Sequence, residues 1–215
     1  VARATTPLGA FFASMAREER ASIAAFERLR TELWAHGAPA HLVRAAERAR
    51  RDEARHARTM ARLARRHGGE IGPDEAKKAH AVRELEAVAR ENAVEGCVRE
   101  TFAALLARWQ GEHAEDEEVR AAFARIARDE ARHAALAWAV AAWSDELLDA
   151  GGRRRVRRAR AAAVRAVERS LGAEVDATLA RRAGIALPRQ ARVLFASISR
   201  SLGAAQPVFW TTKPD

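Results

Sequence analysis

The chain has 215 residues, enough for one large domain or one domain with an appendage. Apolar residues make up 48%, and Ala, Arg, Glu and Leu dominate while Gly (12) and Pro (6) gather at a few breaks, so the expected class is all-α. The net charge of +9 is spread over Arg mixed with Glu, which reads as solvated helix faces outside one run at Arg153–Arg160. The single cysteine, Cys97, excludes an internal disulfide, and charges interrupt every Ala-rich segment before it reaches membrane-spanning length. Val1–Gly9 lack a signal-peptide pattern, so a cytoplasmic location without a membrane partner is expected. The missing initiator Met leaves room for an upstream segment.

Gly and Pro divide the chain into four main helices. The first is predicted over about Pro7–Ala35, and the second from about Pro39 to just before Gly68-Gly69. The third runs over about Val82–Trp109, its start blurred by residues 73–80, and the fourth over about Asp116–Leu148. Each has an apolar stripe at spacings of three and four. The stripes are Phe12, Met15, Ile23, Phe26 and Leu33; Leu42, Ala46, Ala49, Met60 and Leu63; Leu85, Val88, Val98, Phe102, Leu105 and Trp109; and Val119, Ala122, Ile126, Ala137 and Val140. Four such stripes suit a four-helix bundle.

The stripes are interrupted by polar residues at inward positions. These are Glu19 in the first helix, Glu53 and His56 in the second, Glu95 with Asn92 a turn before it in the third, and Glu130 and His133 in the fourth. Unpaired charge is expensive in a core. The sequence Asp-Glu-Ala-Arg-His occurs at 52–56 and again at 129–133, and Glu95 precedes Glu130 by nearly the same interval that separates Glu19 from Glu53. Two similar helical hairpins follow, each giving one Glu and one Glu-x-x-His. The levels of the residues match across each hairpin but not across the middle link, which predicts a longer crossover over residues 68–80.

Positions i and i+3 share a helix face, so each Glu-x-x-His offers a carboxylate and an imidazole to one metal ion. Glu19 and Glu95 are expected to bridge or chelate from the other two helices. Four carboxylates and two imidazoles suit two iron ions, with manganese or a mixed pair as alternatives. Glu18 competes with Glu19 but is out of phase with Met15, Ile23 and Phe26. Glu100 competes with Glu95 but lies off the bulky stripe, where a supporting or surface role is expected.

The order Glu, Glu-x-x-His, Glu, Glu-x-x-His over residues 10–147 resembles the ferritin-like superfamily, which includes bacterioferritins, rubrerythrins and di-iron monooxygenases. The segments at 18–29 and 95–101 resemble a subgroup without an assigned activity. The resemblance implies a bundle with one long crossover and a carboxylate-bridged di-iron site held by Glu19, Glu53, His56, Glu95, Glu130 and His133. The Asp-Glu-x-Arg-His form also resembles di-iron oxygenases, where it implies that Asp52, Arg55, Asp129 and Arg132 support the ligands. Val98 stands where rubrerythrins carry a further Glu, Ala54 where bacterioferritins carry the haem-ligating Met, and the chain has no Tyr for a reductase-type radical. No haem is therefore expected.

Residues 151–215 carry no metal motif and are expected as a basic helical extension on a bundle formed by residues 1–150. The run Arg153, Arg154, Arg155, Arg157, Arg158 and Arg160 starts a fifth helix, and Pro188 opens another with Val193, Leu194, Ile198 and Leu202 on its apolar face. Phe209 and Trp210 read as an anchored tail, and Trp109, Trp138 and Trp143 as core or interface residues. The leading functional expectation is an oxidase or oxygenase using O2 or peroxide on a small organic substrate, with an electron donor and a homodimer as further expected partners. The alternatives are a ferroxidase, an RNA-directed di-iron hydroxylase reached through Arg153–Arg160, and a metal-free helical interaction module.

Overall fold

The computed structural model describes residues 5–72 and 81–202. Its helices are α1 (Pro7–Ala35), α2 (Ala40–Arg66), α3 (Leu85–Glu91), a π-helical stretch (Asn92–Glu100), α4 (Thr101–His113), α5 (Glu117–Leu147), α6 (Ala150–Ser170), α7 (Ala177–Ala183) and α8 (Pro188–Leu202). No strand interrupts them among the described residues, and none of these helices is long and apolar enough to cross a membrane. The N-termini are capped as their residue types dictate. Thr6 Oγ1 accepts from Gly9 N, Asp116 from Glu118 and Val119, Asp149 from Gly152, and Asp176 from Leu179.

α1 and α2 form an antiparallel hairpin that turns at His36–Pro39, where Gly37 takes φ +72°. At the far end Gly9 meets the chain leaving α2. A Cβ on Gly9 would stand 2.4 Å from Gly69 N and 2.6 Å from His67 O, so only a glycine lets the two backbones touch. α4 and α5 form the second hairpin, and Gly111 packs its backbone against Ala124. The hairpins join through α2 and α5, which run antiparallel: His67 lies near Asp116, His56 bonds Asp129, and His133 bonds Asp52. One core cluster, around Phe12, Met60, Leu63 and Phe123, fills the α1 N-terminal end. Another, around Leu33, Leu42 and Val140, fills the opposite end. The polar cluster lies between them.

The crossover expected over residues 68–80 falls partly outside the described residues. Its two ends are placed: Gly69 touches Gly9 near the start of α1, while Arg83 pairs with Glu32 near the end of α1. Those two ends lie near opposite ends of α1. Glu32 is fully buried and receives Nε and Nη2 of Arg83 at 2.7 and 2.8 Å, and His36 Nε2 donates to Arg83 O at 2.7 Å. This clamp sets where α3 begins.

The π-helical stretch shifts the phase of the third helical segment. Buried positions fall at Val88/Ala89, Asn92/Ala93, Cys97/Val98 and Thr101/Phe102, so the step across the stretch is five residues where an α-helix would take three or four. Two faces result. Val98 and Phe102, with Leu105 beside them, pack on Ala163 of α6 and on Phe195, Ile198 and Leu202 of α8. The row Gly96, Glu100, Ala104, Ala107 and Gly111 follows a spacing of three and four, and its two glycines abut α5. The bulky stripe read from sequence is therefore the face turned to the C-terminal helices, and the small-residue row is the face turned to α5.

Half of the basic run is absorbed into the fold. Arg153 caps Asp145 O and Leu148 O, Arg155 pairs with Glu86 through two bonds of 2.6 Å, and Arg160 is buried over the Trp138 ring at 5.1 Å. Trp138 also donates to Thr101 Oγ1 at 3.2 Å. Trp143 packs at the margin of the Leu33 cluster, and Trp109 stacks on His113 with ring centres 3.6 Å apart. The expected tail at Phe209 and Trp210 lies outside the described residues.

Gly9→Ala is expected to cost about 1–3 kcal/mol by forcing the hairpin base apart. A thermal melt checks it, with a Tm drop of several degrees expected against an unchanged value for Gly72→Ala, a position open to solvent on the Cβ side.

Candidate metal centre

Six charged side chains meet at mid-height between α1, α2, α5 and the end of the π stretch. Glu19, Glu53, His56 and Glu130 place one ligand atom each within 4.8 Å of one another, and Glu100, Glu130 and His133 do the same. Either group could hold a metal ion. The two share Glu130, and further contacts knit them together. Glu53 turns Oε1 to His133 Nδ1 at 3.0 Å and Oε2 to His56 Nδ1 at 3.8 Å. Glu130 turns Oε1 to His56 Nδ1 at 3.3 Å and Oε2 to His133 Nδ1 at 3.5 Å. Both carboxylates thus split their oxygens between the two imidazoles. Glu19 faces His56 alone at 3.6 Å.

The Nδ1 atoms of His56 and His133 are buried and have no hydrogen-bond partner of acceptable geometry, although carboxylates surround both. A buried polar atom without a partner normally costs free energy. The spacing explains it. Two adjacent ligands of an ion bound at about 2.1 Å lie about 3 Å apart, which is the scale of these Nδ1–oxygen separations.

The opposite ring nitrogens are held by the repeated Asp-Glu-Ala-Arg-His motifs acting across the helix pair. His56 Nε2 donates to Asp129 Oδ2 at 3.0 Å, and His133 Nε2 lies 3.3 Å from Asp52 Oδ2. Each Asp therefore orients the imidazole of the other helix and fixes the tautomer that leaves Nδ1 free to ligate. Arg55 bonds Asp52 and reaches Asp129 at 3.2 Å, while Arg132 bonds Asp129 and reaches Asp52 at 3.3 Å. Two Asp and two Arg close a neutral ring beneath the cluster. Phe26 covers His133, with ring centres 5.0 Å apart.

One residue of the sequence-derived set stands elsewhere. Glu95 is exposed and pairs with Arg99 at 3.1 Å, whereas Glu100 supplies the fourth carboxylate. The five-residue step of the π stretch carries Glu95 off the inner face and brings Glu100 onto the small-residue row. That row was the available signal, since Gly96, Ala104, Ala107 and Gly111 mark the close face to α5 with Glu100 in the gap. Asn92 is buried, but its amide donates to Ala137 O at 2.9 Å and not to a ligand. Glu18 is on the surface, accepting from Ser14 Oγ at 3.1 Å. No protein-family model, curated protein or solved structure matches the chain, so the reading of this centre rests on its geometry.

The electrostatics follow from burial and mutual contact. Burial lifts Glu19 to about 8 and pushes Glu100 well above the usual carboxylate range, where Glu130 beside it adds to the shift. Burial also opposes charge on Glu53 and Glu130, but the imidazoles of His133 and His56 close beside them outweigh it and hold both below the ordinary value. Burial disfavours the imidazolium of His133, yet Asp52, Glu130 and Glu53 lift that group to about 11; His56 is raised in the same way by Glu130, Glu19 and Glu53. In the metal-free cluster the raised groups Glu19, Glu100, His56 and His133 favour their protonated forms, and the lowered Glu53 and Glu130 their ionised forms.

Loading divalent ions should accordingly expel protons, so affinity rises with pH, the slope easing as Glu19 loses its own proton above about 8. Calorimetry in buffers of different ionisation enthalpy measures the release. Asp52→Asn and Asp129→Asn should each weaken metal binding about 10–100-fold. Glu95→Gln should leave it unchanged in equilibrium dialysis, whereas Glu100→Gln should weaken it.

Proposed function

We propose that the chain is a ferritin-like, dinuclear metalloprotein, and that it acts as an O2- or peroxide-dependent oxidoreductase on a small organic substrate. The observation that supports this reading is the paired geometry of the centre. Two imidazoles present unpartnered Nδ1 atoms, two carboxylates divide their oxygens between them, and one further carboxylate serves each end. Glu19 and His56 would hold one ion, Glu100 and His133 the other, and Glu53 and Glu130 would bridge. Four oxygen-donor side chains and two imidazoles suit iron or manganese, and the lone buried Cys97 offers no thiolate alternative nearby. Two such ions supply redox chemistry toward O2 or peroxide.

The chain's own residues position and insulate that centre. Asp129 and Asp52 lock the imidazoles, Arg55 and Arg132 balance those carboxylates, and Phe26 packs against the His133 ring. Of the four carboxylates, Glu100 lines the cavity that opens beside the centre. That cavity supports an organic substrate over iron handling alone, because a ferroxidase needs no apolar chamber beside its metals. Electrons for turnover would come from a separate donor.

An anaerobic Fe(II) titration should saturate at two ions per chain, and Glu53→Ala and His56→Ala should abolish uptake. Admission of O2 should then oxidise the iron, with continued O2 consumption once a reductant is supplied. Consumption that stops when two irons are oxidised, even with reductant present, would favour iron handling.

A further inference from the structure

Positive charge is unevenly placed on the surface. Along α2, Arg recurs at steps of three and four from Arg44 to Arg65, and every side chain of this row is exposed. At about 1.5 Å per residue the row is about 32 Å long. Arg125, Arg128 and Arg132 form a second exposed row on α5. The rows meet where Arg55 bonds Asp129 and Arg132 bonds Asp52. They also share a longer repeat than the metal centre uses: Arg-x-x-Arg-Asp-Glu-Ala-Arg-His-Ala occurs at 48–57 and at 125–134. The pairing of Asp52 with His133 and of Asp129 with His56 sets both copies on one face, related by an approximate two-fold axis.

The carboxylates of this face are already engaged. Glu47 holds Arg51, Asp52 and Asp129 hold Arg55 and Arg132, and Glu118 holds Arg62 and Arg66. Arg44, Arg48, Arg58, Arg65, Arg125 and Arg128 have no ion pair among the described residues. Unneutralised guanidinium groups in two rows attract a polyanion. A specific protein partner or a membrane would need apolar anchors as well. The exposed large apolar side chains, Trp34, Val82, Leu147, Leu187 and Val193, all lie outside residues 44–66 and 118–132. A single nucleic-acid strand is held by stacking on exposed aromatic rings, and Phe123, the one such ring in those segments, is buried. A duplex needs only phosphate contacts on its two strands. Packed helices lie about 8–10 Å apart, which suits the strands on either side of the minor groove of B-form DNA, about 6 Å wide. The wide minor groove of A-form RNA sets its strands further apart. α6 also carries exposed arginines, but in a single row that includes Glu168.

We infer that the α2/α5 face is a second functional surface, which binds the phosphate backbone of duplex DNA without regard to base sequence. The arginine row of α2 meets one strand beside the minor groove, and the row of α5 meets the other. The site stands on the arginine array and does not depend on the dinuclear reading.

Fluorescence anisotropy of the full-length chain with a labelled DNA duplex of about 20 base pairs tests it. Affinity should fall about 10²–10³-fold between about 50 and 200 mM salt, as neutralising roughly four to six phosphates requires. Arg48→Gln, Arg58→Gln, Arg125→Gln and Arg128→Gln together should weaken binding about 100-fold at the lower salt and reduce the slope of log affinity on log salt by about 3–4. These side chains are exposed and unpaired, so the melting temperature should not change. Arg44→Gln with Arg65→Gln gives an independent reading, a slope lower by about 2. Arg154→Gln, Arg157→Gln and Arg158→Gln on α6 should together cost less than about threefold. Added as competitors, an RNA duplex, the same DNA as a single strand, polyglutamate and phosphatidylserine vesicles should each displace the duplex only at a higher concentration of anionic charge. Displacement by any of them at an equal or lower concentration, absence of DNA binding at about 50 mM salt, or unchanged slopes in both α2/α5 variants would overturn the assignment. A loss that follows the α6 substitutions instead would overturn it as well.

Discussion

His56 Nδ1 and His133 Nδ1 point into a box of four carboxylates and find no hydrogen bond there. Much of the surrounding structure answers to that arrangement. The Asp-Glu-Ala-Arg-His motif has to occur on both α2 and α5, because each Asp serves the imidazole of the opposite helix. The two helices have to run antiparallel, so that residue 52 meets 133 and 129 meets 56. The two apolar clusters lie above and below, and they confine the polar groups to one layer. Charge confined to that layer has to be balanced, and protons or a bound cation would each do so.

The approximate two-fold symmetry of the centre is broken by the third helical segment. α1 supplies Glu19 from an unbroken helix, whereas Glu100 arrives at the end of a nine-residue π stretch. The widened turn also lets Gly96 lie against Ala137, where a Cβ would stand 2.6 Å from the alanine methyl. This side of the centre carries the cavity. The same local distortion thus places a ligand, brings a backbone close to α5 and lines the chamber.

Much of this was legible in the sequence. α1, α2 and α5 follow from apolar periodicity and Gly or Pro stops, and five of the six cluster residues follow from polar gaps in those stripes. The polar gap at Glu95 does not mark the inner face because the helix does not keep one period there. A π turn adds a residue without leaving a break such as Gly or Pro, and bulky Val98 and Phe102 drew the reading to the face that packs on α6 and α8. The inner face of that segment is made of Gly and Ala, which carry little hydropathy signal. The Arg run was legible as charge but not as structure: Arg160 packs on Trp138, and Arg155 pairs with Glu86, a partner 69 residues away.

The central claim is that two ions share Glu53 and Glu130 between His56 and His133. Anomalous diffraction from crystals grown with Mn(II) tests it most directly. The account predicts two peaks, one bounded by Glu19 and His56, the other by Glu100 and His133, with both bridging carboxylates between them. A single peak, no peak, or a peak ligated by Glu95 would contradict it.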